Sequence, residues 1–469
     1  MELKERISQW VDAHRDELIR DIGRLVAVKS VRGESAPGAP FGPGPRAALD
    51  EALAMCREYG FETEIYGGAV GTASFNSLPS ALDILGHLDV VGEGEGWDTD
   101  PYRATLGGDG CLYGRGVDDD KGPVVMALTA LRCLRELGVE LKQGCRLIMG
   151  TDEESGSEDL PYFYGENPPA PHTFTPDTGF PVYNTEKGRW APSLSAAWDS
   201  SGALPRVASL QGGFRVNVIP GDASAVVLGL DAETALWSAH SAAGACAVDL
   251  LAEPVEGGVR LTVHGTQGHA ASPWEANNAL TALLSILSAL PLAEDAPVNA
   301  AVRALSELFP HGSWGGQGLG IAQSDELCGE LTASLDVVEL GGSGFHGWLD
   351  CRVPTCATEA NCRLPAVRAL AESGIAAEGA MSRPHHTPGE GDFVRTLLRC
   401  YETYTGLRGE CLSTGGGTYV HDIEGGVGFG VAMPGFQSNL HGANERLDVT
   451  SALTAVKIFA LAVSELCGK

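Results

Sequence analysis

With 469 residues, 43% of them hydrophobic and 20% charged, the chain is long enough to bury a sizeable core and to divide into more than one domain. Its 61 acidic against 32 basic residues leave a formal charge of -29, which opposes nucleic-acid phosphates and anionic membrane surfaces as partners. The 12 cysteines are scattered without a Cys-x-x-Cys pair, and several, such as Cys133 and Cys246, lie among helix-like apolar positions; they read as reduced core thiols of a cytoplasmic protein.

Residues 2–28 have the periodicity of an amphipathic helix rich in charge, without the apolar block of a signal peptide. No run along the chain approaches about eighteen uninterrupted apolar residues, so no membrane span is expected. A Gly/Pro-rich loop follows at 33–46, then a helix over 45–59, short strands near 61–66 and 82–86, a helix over 122–137 and the strand "CRLIMGT". This alternation predicts an α/β domain with a mixed, largely parallel sheet flanked by helices. From 190 to 380 the texture changes to Ala/Gly-rich segments with strand-like runs "SAVVLGL", "VRLTVHG" and "ELTASLDVVEL" and a helix in "NNALTALLSILSAL". That stretch is predicted to be an inserted α/β (α+β) domain, which the resemblance given below makes a lid, leaving 1–189 and 381–469 as a discontinuous first domain. The first texture resumes with helices at "FVRTLLRCYETYTG" and "SALTAVKIFALAVSEL".

Side chains of metal-ligand type stand where the predicted strands end. His87 and Asp89 follow "LDIL", Asp119 lies in "GRGVDDDKG", Glu153 and Glu154 follow "RLIMGT", Asp177 follows "TFTP", and His441 follows "FGVAMPGFQSN". Alone, a His-x-Asp is ordinarily a satisfied strand-end histidine and a Glu-Glu pair a solvated turn. Together they carry more weight, because sites in open α/β sheets form beyond the carboxyl ends of strands. Histidines and carboxylates without a thiolate suit Zn²⁺, Mn²⁺ or Co²⁺, and there are enough of them for two ions sharing a carboxylate.

The stretches "GHLDVVGEGEGW", "GRGVDDDKGP", "TDEESGSEDL", "PDTGFPVYNTEKG", "GTQGHAASP" and "NLHGANE" resemble, in order and spacing, the co-catalytic zinc peptidases related to carboxypeptidase G and the aminoacylases, and among them the PepV-type dipeptidases. The resemblance runs from about residue 5 to 467 and includes "APGAPFG" and "GGGTY". It implies that His87 and Asp177 hold one divalent ion and Glu154 and His441 the other, with Asp119 as the bridge. Zn²⁺ is the implied metal, with Mn²⁺ or Co²⁺ as alternatives. Asp89 is then the carboxylate that orients the His87 imidazole, and the glycines after it let the backbone run close to the rim of the cleft. Glu153 is the general base, and the Asp119–Asp120 peptide is expected to be cis. In the inserted segment the resemblance assigns Asn217 and His269 to the substrate, His269 as oxyanion donor. Arg352, in "LDCRVP", is assigned to the substrate carboxylate, together with backbone N–H groups of Gly415, Gly416 and Gly417. His264, His385, His386 and His421 gain no role from the motifs.

These residues imply metal-dependent hydrolysis of dipeptides carrying a free carboxylate. Deacylation of N-acyl amino acids, of the acetylornithine or succinyl-diaminopimelate kind, is the alternative within the same chemistry; those relatives have a shorter lid. A non-catalytic peptide-binding relative is the alternative from another class, but such proteins lose a ligand or the base, and Glu153, Asp119 and His441 are all present. The length of the lid further implies a monomer in which one half of the lid takes the place that a partner's lid fills in dimeric relatives.

Overall fold

The computed structural model describes residues 2–468. The chain divides into two compact units, the first made of residues 1–185, 386–413 and 417–469 and the second of 186–385 with 414–416.

The first unit is built on a mixed sheet with strands in the order Glu62–Tyr66, Val70–Ser74, Gly144–Gly150, Ser80–His87, His172–Thr175, Val427–Gly428 and Val182–Glu186. Ser80–His87 runs parallel to both its neighbours, Gly144–Gly150 and His172–Thr175. A central parallel strand is covered on both faces, which is why "ALDILGH" is buried at every residue and lacks the alternation of a half-exposed strand. Val70–Ser74, which has no clear period in the sequence, joins this sheet in antiparallel register. The amphipathic stretch predicted as one helix is two, Leu3–Ala13 and Arg15–Val26. They break where His14 leaves the helical region at φ -104, ψ 17 and its Nδ1 turns back to the Trp10 carbonyl at 2.7 Å.

The helix Val449–Cys467 starts on an Asp448 cap, whose carboxylate accepts the Ser451 N–H at 2.7 Å. Its mean hydropathy of 1.6 over 19 residues would suffice by length and composition for a membrane crossing. Here the apolar side chains belong to the core instead. Phe459 lies within 5.5 to 6.1 Å of the rings of Phe174, Phe429 and Phe180.

The second unit has an antiparallel sheet in the order Asp249–Val255, Gly258–His264, Asp222–Leu228, Arg206–Gly212, Thr332–Gly341, Gly344–Val353, Ser193–Ala197 and Ala376–Glu378. Whereas Thr332–Gly341 is buried over most of its length, Gly258–His264 and Asp222–Leu228 alternate buried with more exposed residues, as strands covered on one face do. The helices Ala232–Cys246, Ala279–Ser288 and Pro297–Leu308 pack on that face. Asp231 caps the first and Asn278 the second through side-chain bonds to their first-turn N–H groups. A two-residue ladder lies outside the main sheet and pairs Val218 with His269 and Ile219 with Gly268.

Candidate metal centre

All five candidate metal ligands and Glu153 lie in the first unit, and the ligands gather into two clusters that share Asp119. His87, Asp119 and Asp177 form one; Asp119, Glu154 and His441 form the other; within each, one ligand atom per residue lies within 4.8 Å of the rest. His87 ends its parallel strand fully buried, with its backbone N–H donated to Asp120 Oδ2 at 3.0 Å. Its Nε2 is 3.0 Å from Asp119 Oδ1 and 3.6 Å from Asp177 Oδ2. Neither contact is a hydrogen bond, and this buried nitrogen has no hydrogen-bond partner. On the other side, His441 Nε2 is 2.9 Å from Asp119 Oδ2 and 3.2 Å from Glu154 Oε2. The peptide between Asp119 and Asp120 is cis.

The charge state follows from this crowding. Burial pushes the Asp177 carboxyl up to about 6, with the Asp119 charge adding to the effect. Burial likewise raises Glu153 well above the usual carboxylate range. For His441 burial opposes the charge, yet the Asp119 and Glu154 carboxylates hold the imidazole up to about 10. Burial also works against the Asp119 charge, but the imidazoles of His441 and His87 hold its carboxyl well below its ordinary value. Several buried carboxylates and an unpartnered imidazole nitrogen directed at them form a donor set that fits a divalent cation of the Zn²⁺, Mn²⁺ or Co²⁺ kind.

Glu153 belongs to neither cluster. It opens the short 3₁₀ turn Glu153–Ser155, where Asp89 has a further part. Nδ1 of His87 meets the Asp89 carbonyl at 3.1 Å, whereas the Asp89 carboxylate is 3.5 Å away. That carboxylate also accepts the N–H groups of Glu153 at 3.1 Å and Glu154 at 3.2 Å. Asp89 therefore sets the turn that presents both glutamates. Tyr419, from "GGGTY", and Asp159 brace the same turn: the hydroxyl donates to Asp159 Oδ2 at 2.5 Å, and Asp159 accepts the Thr151 N–H at 2.6 Å.

The glycine-rich stretch after Asp89 also has a specific partner. Gly94 and Gly96 take φ of +67 and +95, values that glycine adopts readily. The bend delivers Asp98 to Asn444, which accepts the Asp98 N–H at 2.9 Å and donates to its Oδ2 at 3.0 Å. The glycines thus tie the first motif to the loop carrying His441. Two further side chains, Arg115 and Glu445, belong to the motifs above without a role there and stand at the junction of these loops, with Arg115 Nη1 2.7 Å from Glu445 Oε2.

Asn217, His269, Arg352, Gly415 and Gly416 lie in the second unit, and Gly417 begins the last segment of the first. Asn217 has φ +78; its N–H is held by Asp336 Oδ2 at 2.9 Å and its carbonyl accepts the Ala270 N–H at 3.0 Å. His269 Nδ1 accepts the Ala271 N–H at 3.1 Å, so in the neutral ring the proton sits on Nε2. The free fork expected of Arg352 is already in use. Its Nε and Nη2 donate to Asp350 at 2.5 and 3.2 Å, and its Nη1 to the Gly415 carbonyl at 2.7 Å. One proton on each terminal nitrogen remains. The expected row of backbone donors is reduced as well, since the Gly416 N–H is donated to Thr414 Oγ1 at 3.0 Å. Gly415 answers to close approach, because a Cβ there would stand 2.9 Å from Ala271 Cβ.

Histidines and carboxylates gathered at the carboxyl ends of parallel strands mark a metal-dependent hydrolase. The profile of Peptidase family M20/M25/M40 matches residues 84–465, and the chain belongs to that family of metal-dependent peptidases. It is 31% identical over 458 residues to Putative dipeptidase YtjP of Bacillus subtilis (strain 168), covering 96% of this chain and 97% of that protein. It is 29% identical over 463 residues to Beta-Ala-Xaa dipeptidase of Lactobacillus delbrueckii subsp. lactis, covering 98% and 97% respectively. Among solved structures, human carnosine dipeptidase 1 shares the fold with a TM-score of 0.65 at 16% identity, over 100% of both chains.

Proposed function

We propose that this chain is a two-metal dipeptidase acting on dipeptides with a free C-terminal carboxylate. The observation that carries this reading is Asp119, a single buried carboxylate whose two oxygens lie 3.0 and 2.9 Å from the Nε2 atoms of two different histidines. His87, Asp119 and Asp177 would hold one ion, and Asp119, Glu154 and His441 the other. Two such cations supply Lewis acidity to a scissile carbonyl and acidify water to a pKa of about 7. Glu153 takes the proton of the attacking water on its carboxylate and returns it to the leaving amine; Asp89 holds the turn that aims it. The Nε2 proton of His269, with Asn217 beside its strand, is donated to the carbonyl oxygen as it gains charge, a contact typically worth about 3–4 kcal/mol.

The substrate carboxylate falls to the remaining protons of Arg352 and to backbone of the 415–417 segment. The second unit is then a lid, and its length, enough for one half to take the place of a partner's lid, supports a monomer in which base and oxyanion donor act within one chain. Relatives named as dipeptidases that align end to end support the substrate class. Twelve free thiols, ten of them buried, support a reducing, cytoplasmic setting. The test offers the protein, loaded separately with Zn²⁺ and Mn²⁺, a panel of α- and β-alanyl dipeptides beside N-acetyl and N-succinyl amino acids. Turnover of the dipeptides is expected; preference for the acylated amino acids overturns the reading in favour of deacylation.

A further inference from the structure

The two ligand clusters are held by different means. In the first, His87 is fixed by parallel pairing with Gly150 at the end of its strand and by the Asp120 bond to its N–H, and Asp177 follows the neighbouring strand His172–Thr175. In the second, His441 lies on an irregular loop with φ +60, and its side chain is 42% exposed where that of His87 is 0%. No sheet hydrogen bond fixes His441. Arg115 and Glu445 do that work, and both are almost wholly buried, at 1% and 0% exposure. Nη2 of Arg115 donates to the carbonyls of His441 and Gly442 at 3.1 Å each and to that of Gly92 at 3.4 Å. Oε1 of Glu445 accepts the N–H groups of Gly116, Asp118 and Asp119 at 3.0, 2.9 and 3.2 Å. The ion pair between them joins the loop of the bridging aspartate to the loop of the second histidine.

We infer that Arg115 and Glu445 are positioning residues that set cation affinity in the Asp119/Glu154/His441 cluster selectively, leaving the His87/Asp119/Asp177 cluster to the sheet. The inference rests on the two-metal reading above. Asp119 is common to both clusters, but the neighbouring Asp120 ties its loop to His87 independently of Glu445. Loss of the buried pair therefore frees the His441 side first. Groups behind a metal's ligands typically govern about 10- to 100-fold of its affinity.

The experiment counts zinc per chain by mass spectrometry after dialysis against buffered free Zn²⁺, and titrates the apoprotein with Mn²⁺ by calorimetry. It compares wild type, Glu445→Gln, Arg115→Lys, His441→Ala and the double variant His441→Ala/Glu445→Gln. Wild type is expected to bind two equivalents. Glu445→Gln and Arg115→Lys should keep one at wild-type affinity and bind the other about 10- to 100-fold more weakly. His441→Ala should keep one equivalent, and adding Glu445→Gln to it should leave that affinity unchanged. Equal weakening of both equivalents, weakening of neither, or further loss in the double variant overturns the inference. A wild type that binds fewer than two equivalents overturns the two-metal reading and the inference with it. Far-UV circular dichroism of the apoproteins controls for folding, and Arg115→Lys, which keeps the charge inside, carries the test alone if the glutamine variant does not fold.

Discussion

In the first unit His87, Glu153, Glu154 and Asp177 stand at or just beyond the ends of buried parallel strands, His87 being the clearest case, whereas Asp119 and His441 stand on loops held by Glu445 and Arg115. Of Asn217, His269 and Arg352 in the second unit, only Arg352 lies on a strand of the main sheet. Asn217 has a left-handed backbone, His269 belongs to a two-residue ladder, and Arg352 leans on Asp350 and the Gly415 carbonyl. Position in the first unit owes more to the central sheet, and for Asn217 and His269 in the second it owes more to bonds that hold local turns. A substitution in the first unit should therefore remove a chemical step while the scaffold persists, whereas one in the second should disturb geometry and chemistry together.

The largest effects should come from the first unit. Glu153→Ala is expected to lower kcat by about 10²- to 10⁴-fold with both metal equivalents retained, since Glu153 lies outside both ligand clusters. Asp119→Ala should lose metal and activity together. Loss of a metal equivalent in Glu153→Ala, measured by elemental analysis beside steady-state kinetics, would make Glu153 a ligand and end its assignment as base.

The same contrast explains how much of the molecule is legible in its sequence. Continuous apolar runs such as "ALDILGH" and the ligand-type residues after them are sequence-local signals, so the mixed sheet and the positions of His87, Glu154 and Asp177 can be read from them. Legibility falls where a role depends on a distant partner. Asp89 is two residues from His87, yet its carboxylate serves Glu153 and Glu154. Arg115 and Glu445 sit inside recognisable motifs, but their function exists only because the fold brings residues 330 positions apart to 2.7 Å. The short strand Val70–Ser74 and the break at His14 escape a reading by period because neither changes the hydrophobic pattern of its surroundings.

In the second unit His269→Ala should cost about 10²- to 10³-fold in kcat through the lost oxyanion donor. Mixing His269→Ala with Glu153→Ala then tests whether base and donor act within one chain. No recovery of activity is expected; recovery by complementation would mean a shared dimeric site. A smaller loss is expected from Arg352→Ala, about 10- to 100-fold in kcat/KM for a free dipeptide and much less for its amide, because only the acid can use a charge-assisted contact. Equal losses for acid and amide would show that Arg352 acts only by satisfying the buried Asp350, which Arg189 also contacts at 2.9 Å.

The smallest effect separates geometry from chemistry within the second unit. Asp336 is fully buried, and burial pushes its carboxyl from the usual 3.8 up to about 7. Its Oδ2 holds the Asn217 N–H, so it governs a turn and touches no reacting atom. Between about pH 4 and 7 the folded chain keeps a proton that the unfolded chain releases. The contribution of Asp336 to stability is therefore fully present below about pH 4, is lost as pH rises through that window, and is constant above about pH 7. Each tenfold difference in proton affinity between the folded and unfolded chain corresponds to about 1.4 kcal/mol, which bounds the fall at about 1–4 kcal/mol. Asp336→Asn keeps an acceptor for the Asn217 N–H and removes the titration, so its denaturant midpoint should vary less between about pH 5 and 8 than that of the wild type, with kcat/KM nearly unchanged. An unaltered pH slope would place the titrating group elsewhere, and a large loss of kcat/KM at full stability would give Asp336 a part in the chemistry and break the contrast between the two units.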